Sequence, residues 1–168
     1  MNRRFVIEAV LVAIYGQLLM PGRQVEYIIP YTTILELYDM KNSQEPVMPD
    51  PDEDVHVKEK IGEMIAFFED SFNKKKIERA LVVPWRKSPP MLVNDQVSFS
   101  VIYAVENAQY GEAFDPVETE LILTAIKEEA PVVTDQFEFI DKLIEHEVPA
   151  NAYDIEDFEF AMEEDVSV

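Results

Sequence analysis

The sequence predicts an α+β fold in a single compact domain, with a small, mainly antiparallel sheet covered by about four helices and a helical C-terminal third. Three observations support this prediction. The 168 residues suit one domain, 48% of them are hydrophobic, and strand-like segments in the first two thirds give way to helical spacing near the end. We therefore expect residues 1–168 to form one folded unit.

Four stretches have the composition of β-strands. Phe5–Tyr15 is rich in β-branched residues, and Val25–Ile29 is a second apolar run that Pro30 ends, because proline lacks the N–H a sheet requires. Ile77–Val83 has a similar composition, and Val97–Val105 alternates large apolar residues with small ones. These segments predict the sheet.

Helix starts are marked by an Asp-Pro pair that occurs twice, at residues 50–51 and 115–116. Aspartate accepts hydrogen bonds from first-turn amides, and proline suits the first helical position. The pairs predict helices that run to Asn73 and to about Ala130. Apolar residues at helical spacing predict three more helices, from Thr32 or Thr33 to Met40, from Asp135 to Val148, and from Asp154 onwards.

Composition excludes several classes of function. The chain has 14 basic and 34 acidic residues, and its formal charge of −20 repels phosphate, so we expect no direct binding to nucleic acid. It has no cysteine, which excludes disulfides, thiolate nucleophiles and cysteine-ligated metal centres. Only four glycines are present, and they form neither a Walker loop nor a dinucleotide-binding motif.

The charge is distributed unevenly along the chain. Residues 1–87 carry 12 basic and 14 acidic side chains, whereas residues 88–168 carry two basic and 20 acidic ones. The first part is therefore nearly neutral and the second part strongly acidic. This asymmetry favours a non-catalytic interaction or regulatory protein that binds a basic protein partner through its acidic C-terminal half.

The C-terminal segment combines acidic residues with aromatic ones, a composition that allows a helix to dock into a basic, apolar groove of a partner protein. The predicted partner-binding residues are Asp154, Glu156, Asp157, Phe158, Glu159 and Phe160. Alternatively, the segment folds back onto its own domain, because Ile155, Phe158 and Met162 form a helical stripe typical of a core.

A basic patch interrupts the first part of the chain, at Lys74, Lys75, Lys76, Arg79, Arg86 and Lys87. Trp85 beside it offers a face on which a base could stack. The overall charge disfavours this use, so a solvated helix end or a site for an acidic partner is the preferred interpretation.

An acidic segment around residues 50–56 predicts an alternative function, a metal-assisted hydrolase or a divalent-cation-binding domain. The candidate ligands are Asp50, Asp52, Glu53 and His56, completed by distant carboxylates such as Glu118 and Glu120. Hard cations prefer several oxygens from one flexible segment, and metal activation of water needs no nucleophilic side chain. The competing interpretation is that these acids form a solvated helix start.

No other chemistry is indicated. None of the six serines lies in a Gly-x-Ser-x-Gly motif, so we predict no catalytic residues and no cofactor. The apolar run from Phe5 to Met20 contains Glu8 and is too short to span a membrane, so we expect no membrane association and a cytoplasmic location. The sequence does not indicate an oligomeric state.

Overall fold

The structure is a computed structural model that describes residues 3–104 and 112–164 of the chain. Within these residues six strands form one sheet: β1 (Arg3–Ile7), β2 (Val25–Pro30), β3 (Met91–Leu92), β4 (Val97–Ile102), β5 (Val132–Val133) and β6 (Ala152–Tyr153). Seven α-helices accompany them: α1 (Ala9–Ile14), α2 (Tyr31–Asn42), α3 (Pro51–Glu69), α4 (Ser71–Leu81), α5 (Pro116–Glu128), α6 (Phe137–Glu145) and α7 (Ile155–Glu164). A short 3₁₀ turn covers Gly16–Leu19.

The sheet is mostly parallel, so the prediction of a mainly antiparallel sheet is wrong. Its strand order is β3-β4-β2-β1-β5-β6, and only β3 runs antiparallel, on the edge beside β4. Four parallel pairings join the other five strands, with Val6 opposite both Ile28 of β2 and Val132 of β5. Helical connections explain the direction of the strands, because a parallel neighbour requires a crossover that returns the chain to the same end of the sheet.

The described residues form seven helices, more than the predicted number of about four. Two segments that were predicted as strands account for part of this difference. The apolar run that we predicted as the strand Phe5–Tyr15 is β1 followed, after Glu8, by helix α1. The predicted strand Ile77–Val83 lies largely in helix α4, whose start Asp70 caps by accepting from the amides of its first turn. Both segments are short and apolar, and such runs do not distinguish a strand from a buried helix.

Each face of the sheet carries its own hydrophobic core. On one face the odd-numbered positions of β1 and β2, such as Phe5 and Tyr27, pack with α1, α2, α3 and α7. On the other face the alternate positions, such as Val6 and Ile28, pack with α5 and α6. The central strands are therefore apolar on both sides, as buried parallel strands are.

A polar network interrupts the second face at the amino end of the strands. Arg4 of β1 contacts Glu26 of β2 at 3.4 Å and Glu128 of α5 at 2.5 Å. Lys87 donates to Glu26 at 2.9 Å, and Ser100 donates to the same carboxylate. Although burial alone would raise the pKa of Glu26, the hydrogen bonds and charges of these partners hold it below its ordinary value.

Both Asp-Pro helix starts are confirmed. Asp50 caps α3 by accepting from the Asp52 amide at 3.0 Å, with Pro51 in the first turn. Asp115 caps α5 in a complete capping box with Glu118. The predicted C-terminal helices are α6 and α7, while α2 begins one residue after Pro30. In the described residues, no helix combines the length and hydrophobicity that a membrane crossing requires.

Candidate functional site

The strand order makes the carboxyl edge at the centre of the sheet the candidate site. Counted along the chain, the parallel strands progress outward from β1 through β2 to β4 on one side, and through β5 to β6 on the other. Connections on the two sides of such a reversal diverge, so a crevice opens outside the carboxyl ends of the strands. In this protein the reversal lies between β1 and β5, which pair through Val6 and Val132.

Carboxylates from four segments converge on this edge. Glu8 directly follows β1, Glu36 lies on the helix that follows β2, and Asp135 comes two residues after β5. Asp115 and Glu118 stand at the start of α5, the next helix after β4. The charges of the other four all act on Glu8. We call these five residues the acidic edge.

The start of α5 is held rigidly in the acidic edge. Asp115 accepts from the Glu118 amide at 2.7 Å, and the Glu118 carboxylate accepts from the Asp115 amide at 3.0 Å. Lys142 of α6 donates to Glu118 at 2.7 Å and to the Ala113 carbonyl at 3.0 Å, and its Nζ lies 4.9 Å from the centre of the Phe114 ring. Lys142 therefore fixes Glu118 and leaves Asp115 exposed at the helix start.

The segments after β1 and β5 are also anchored. The Ala9 amide, adjacent to Glu8, donates to Thr33 Oγ1 at 3.2 Å, and the same hydroxyl donates to the Pro30 carbonyl at 2.8 Å. Because Thr33 is buried, this pair ties the turn after β1 to the start of α2. Tyr15 donates to Asp135 at 3.0 Å, and burial followed by this contact raises the pKa of Tyr15.

Among these carboxylates, Glu8 has the most strongly shifted pKa. Burial, then the negative charges of Glu36, Asp135, Asp115 and Glu118, raise its pKa from the ordinary 4.5 to about 7. The pKa of Glu36 is also raised, by burial and by Asp115 and Asp39. Several like charges held together by the fold store electrostatic repulsion, which a bound cation would relieve.

The acidic edge is open rather than a closed ligand cage. Across residues 3–104 and 112–164, no three or more histidine, aspartate or glutamate side chains lie close enough together to hold a metal ion by themselves. Mg²⁺ does not require such a cage, because it retains several waters and commonly binds one or two carboxylates together with substrate phosphates. An ion bound at the acidic edge would therefore retain water ligands beside one or two carboxylates.

The predicted ligands at residues 50–56 are instead distributed around the start of α3. Asp50 is the helix cap, and Asp52, Glu53 and His56 are exposed. Asp54 accepts from the Met48 and Val47 amides at 3.0 and 2.5 Å, and these bonds lower its pKa. These contacts are those of a helix start, and they lie far along the chain from Glu118 and Glu120, which belong to α5.

The predicted basic patch is divided by the fold. Lys74, Lys75, Lys76 and Arg79 lie on α4, whereas Arg86 and Lys87 follow it in the loop toward β3. Lys76 donates to the Pro90 carbonyl at 2.8 Å, and Lys87 points into the polar network with Glu26. Trp85, predicted as a stacking face or a packed residue, packs against the second core.

The predicted C-terminal surface is also divided. Phe158 is 1% exposed and packs edge-on against Phe5 at a centroid distance of 5.0 Å, so it belongs to the core. Phe160 is 65% exposed, and Glu156, Asp157 and Glu159 are exposed beside it. Asp154 accepts from the Asp157 amide at 2.7 Å and starts the helix. The stripe of Ile155, Phe158 and Met162 packs with the first core, as the alternative interpretation expected.

Sequence reasoning missed Glu8, Glu36 and Asp135 as functional candidates. The sequence did contain a signal, because Glu8 and Asp135 each directly follow a short apolar or β-branched run. In a parallel sheet, a residue at that position lies at the carboxyl edge of its strand. That signal required a parallel sheet, which the sequence analysis did not predict. Glu118 was named only as a distant completion of a different cluster.

No protein-family model matches the chain. No curated protein matches it either.

Proposed function

We propose that this protein is a divalent-cation-dependent hydrolase, with its site at the acidic edge. One observation supports the proposal: the negative charges of Glu36, Asp115 and Asp135, from three separate segments, act on Glu8 beside the point where the order of a parallel sheet reverses. The chain has no cysteine and so no thiol to use there, whereas carboxylates suffice to bind a hard cation. The class agrees with the alternative predicted from sequence, but the location differs.

The cation would polarise a carbonyl or phosphoryl oxygen of the substrate and lower the pKa of the attacking water, so no nucleophilic side chain is needed. The chain supplies the carboxylates that bind the ion and a rigid frame that holds them. Glu8 carries a proton below about pH 7, and it releases this proton when a cation offsets the surrounding charges. Cation affinity is therefore expected to rise as the pH increases toward 7.

The test has two parts, and the first measures binding. Isothermal titration with Mg²⁺ and Mn²⁺ near pH 7.5 should give heat for the wild type and about tenfold weaker binding for Asp135→Asn and Glu8→Gln. Asp95→Asn is the matched control, because Asp95 is exposed beside the amino end of β4, at the opposite edge of the sheet. Equal binding by all four proteins would refute the site.

The second part measures hydrolysis. p-Nitrophenyl acetate, p-nitrophenyl phosphate and bis-p-nitrophenyl phosphate distinguish carboxylic ester, phosphate monoester and phosphate diester substrates. Turnover should require Mg²⁺ or Mn²⁺, stop with a chelator and fall in Asp135→Asn but not in Asp95→Asn. Cation binding without hydrolysis of any of the three would refute the reaction while leaving the cation site in place.

A second candidate is the docking of a basic protein partner on the acidic C-terminal half, in the cytoplasm. The exposed face of α7 favours it, because Phe160 stands there among Glu156, Asp157 and Glu159 with no basic neighbour on the helix. Neutralising the three acids should weaken salt-sensitive binding to a basic protein such as lysozyme by about tenfold. Unchanged binding, measured by surface plasmon resonance at low and high salt, would exclude this surface.

A further inference from the structure

Helix α6 leaves an apolar stripe uncovered. Phe137 is 67% exposed and Ile144 is 72% exposed, with the half-buried Ile140 between them at helical spacing. The three side chains span about 10 Å along the helix axis, or two turns. Single exposed apolar residues are common on protein surfaces, but a stripe at helical spacing is typical of a helix that contacts a partner.

A groove continues the stripe toward the edge of the sheet. It has a volume of about 360 Å³ and lies between α6 and strand β6, the last strand on that side. Its lining is mainly apolar and includes Ile140, Leu143, Ile144, Val148, Ala152 and Tyr153. The groove therefore offers depth for an apolar side chain, whereas the stripe alone offers only a flat contact.

Acidic residues border the stripe on its other side. Helical spacing places Glu138, Asp141 and Glu145 along one flank of Phe137 and Ile144, and all three are exposed. None of the three forms an ion pair within residues 3–104 and 112–164. The basic residue of α6, Lys142, is turned away from the stripe and bound to Glu118 at 2.7 Å.

These features together define the occupant by its chemistry. We propose that the groove between α6 and β6 docks a basic amphipathic helix of another protein, whose apolar face contacts Phe137, Ile140 and Ile144 and whose cationic flank faces Glu138, Asp141 and Glu145. A second copy of this chain fits poorly, because it would bring a second molecule of charge −20 against the same acids. The side chains of this surface differ from those of the acidic edge and from those of the exposed face of α7.

The probe is a fluorescein-labelled peptide of about 18 leucine and lysine residues, with all leucines on one helical face. A scrambled peptide of the same composition, whose leucines share no face, is the control for charge alone. We expect the amphipathic peptide to bind at least tenfold more tightly by fluorescence anisotropy, and its addition to shift backbone amide NMR signals mainly in residues 137–153. Equal affinity for both peptides, or shifts confined to α7, would overturn the proposal.

Two variants locate the site further. Ile144→Glu places a charge in the stripe at a position exposed enough to leave folding intact, and it should weaken the peptide at least tenfold. Phe160→Glu makes the same kind of change on α7 and should alter affinity less than about twofold. The reverse order of effects would overturn the proposal. A wild-type dimer in light scattering that Ile144→Glu dissociates would also overturn it, because a second copy would then occupy the groove.

Discussion

Replacing Glu8 with glutamine should stabilise the protein at alkaline pH. The side chain stays protonated in the folded state up to about pH 7, whereas an unfolded chain ionises it near 4.5. At 1.36 kcal/mol per pH unit, the difference between these pKa values corresponds to about 3 kcal/mol. Because the folded state binds more protons between the two values, stability falls as the pH rises through this range and the loss is complete above about pH 7.

The Glu8→Gln variant removes this loss, since glutamine keeps the shape of the neutral acid and does not ionise. Relative to the wild type, its free energy of unfolding should increase by about 2–3 kcal/mol between pH 5 and pH 8.5 in the presence of a chelator. For a chain of this size, 1 kcal/mol corresponds to roughly 2–4 °C in melting temperature. Urea unfolding followed by circular dichroism at the two pH values measures the difference directly.

Asp95→Asn serves as the control and should show no such dependence on pH, because Asp95 lies outside the acidic edge. Millimolar Mg²⁺ should stabilise the wild type near pH 8.5 and leave Glu8→Gln almost unaffected, since a ligand stabilises only the state that binds it. A Glu8→Gln effect of the same size at both pH values would refute the argument that neighbouring carboxylates raise the pKa of Glu8.

Three further predictions concern stability alone. Phe158→Ala should cost about 3–5 kcal/mol in urea unfolding, because it leaves a cavity between α7 and β1. Asp70→Ala should cost about 1 kcal/mol by removing the cap of α4, and Asp70→Ser should restore most of it in the same assay. Lys87→Met should cost about 1.5–3 kcal/mol near pH 7 through the lost bond to Glu26. Since the folded pKa of Glu26 is lowered, this cost should shrink as the pH falls below 4.5.

Local signals in the sequence predicted the parts of the fold that local interactions determine. The helices that begin at Pro51 and Pro116 were predictable because an aspartate cap and a proline act within one turn. The β2 and β4 strands were predictable because each is rich in β-branched and aromatic residues over its six positions. The direction of the sheet was not, since it depends on pairings between segments far apart in the chain.

The candidate site was unpredictable for the same reason. Its carboxylates lie at positions 8, 36, 115, 118 and 135, so no short motif contains two of them except the capping box of Asp115 and Glu118. Strands β5 and β6 have two residues each, too few for a periodic pattern, yet β5 creates the reversal beside β1. The acidic segment at residues 50–56 attracted attention because its charges are adjacent in sequence, whereas the acidic edge is adjacent only in space.

The central position of β1 affects the order in which the protein can be completed during synthesis. Of its two neighbours, β2 follows within about 20 residues, but β5 emerges only after about 125. Until then one side of β1 exposes backbone groups that could pair with another chain. A ribosome-bound fragment ending before Val132 would therefore leave one edge of β1 unpaired, and the late pairing of β5 would both cover that edge and bring Asp135 toward Glu8.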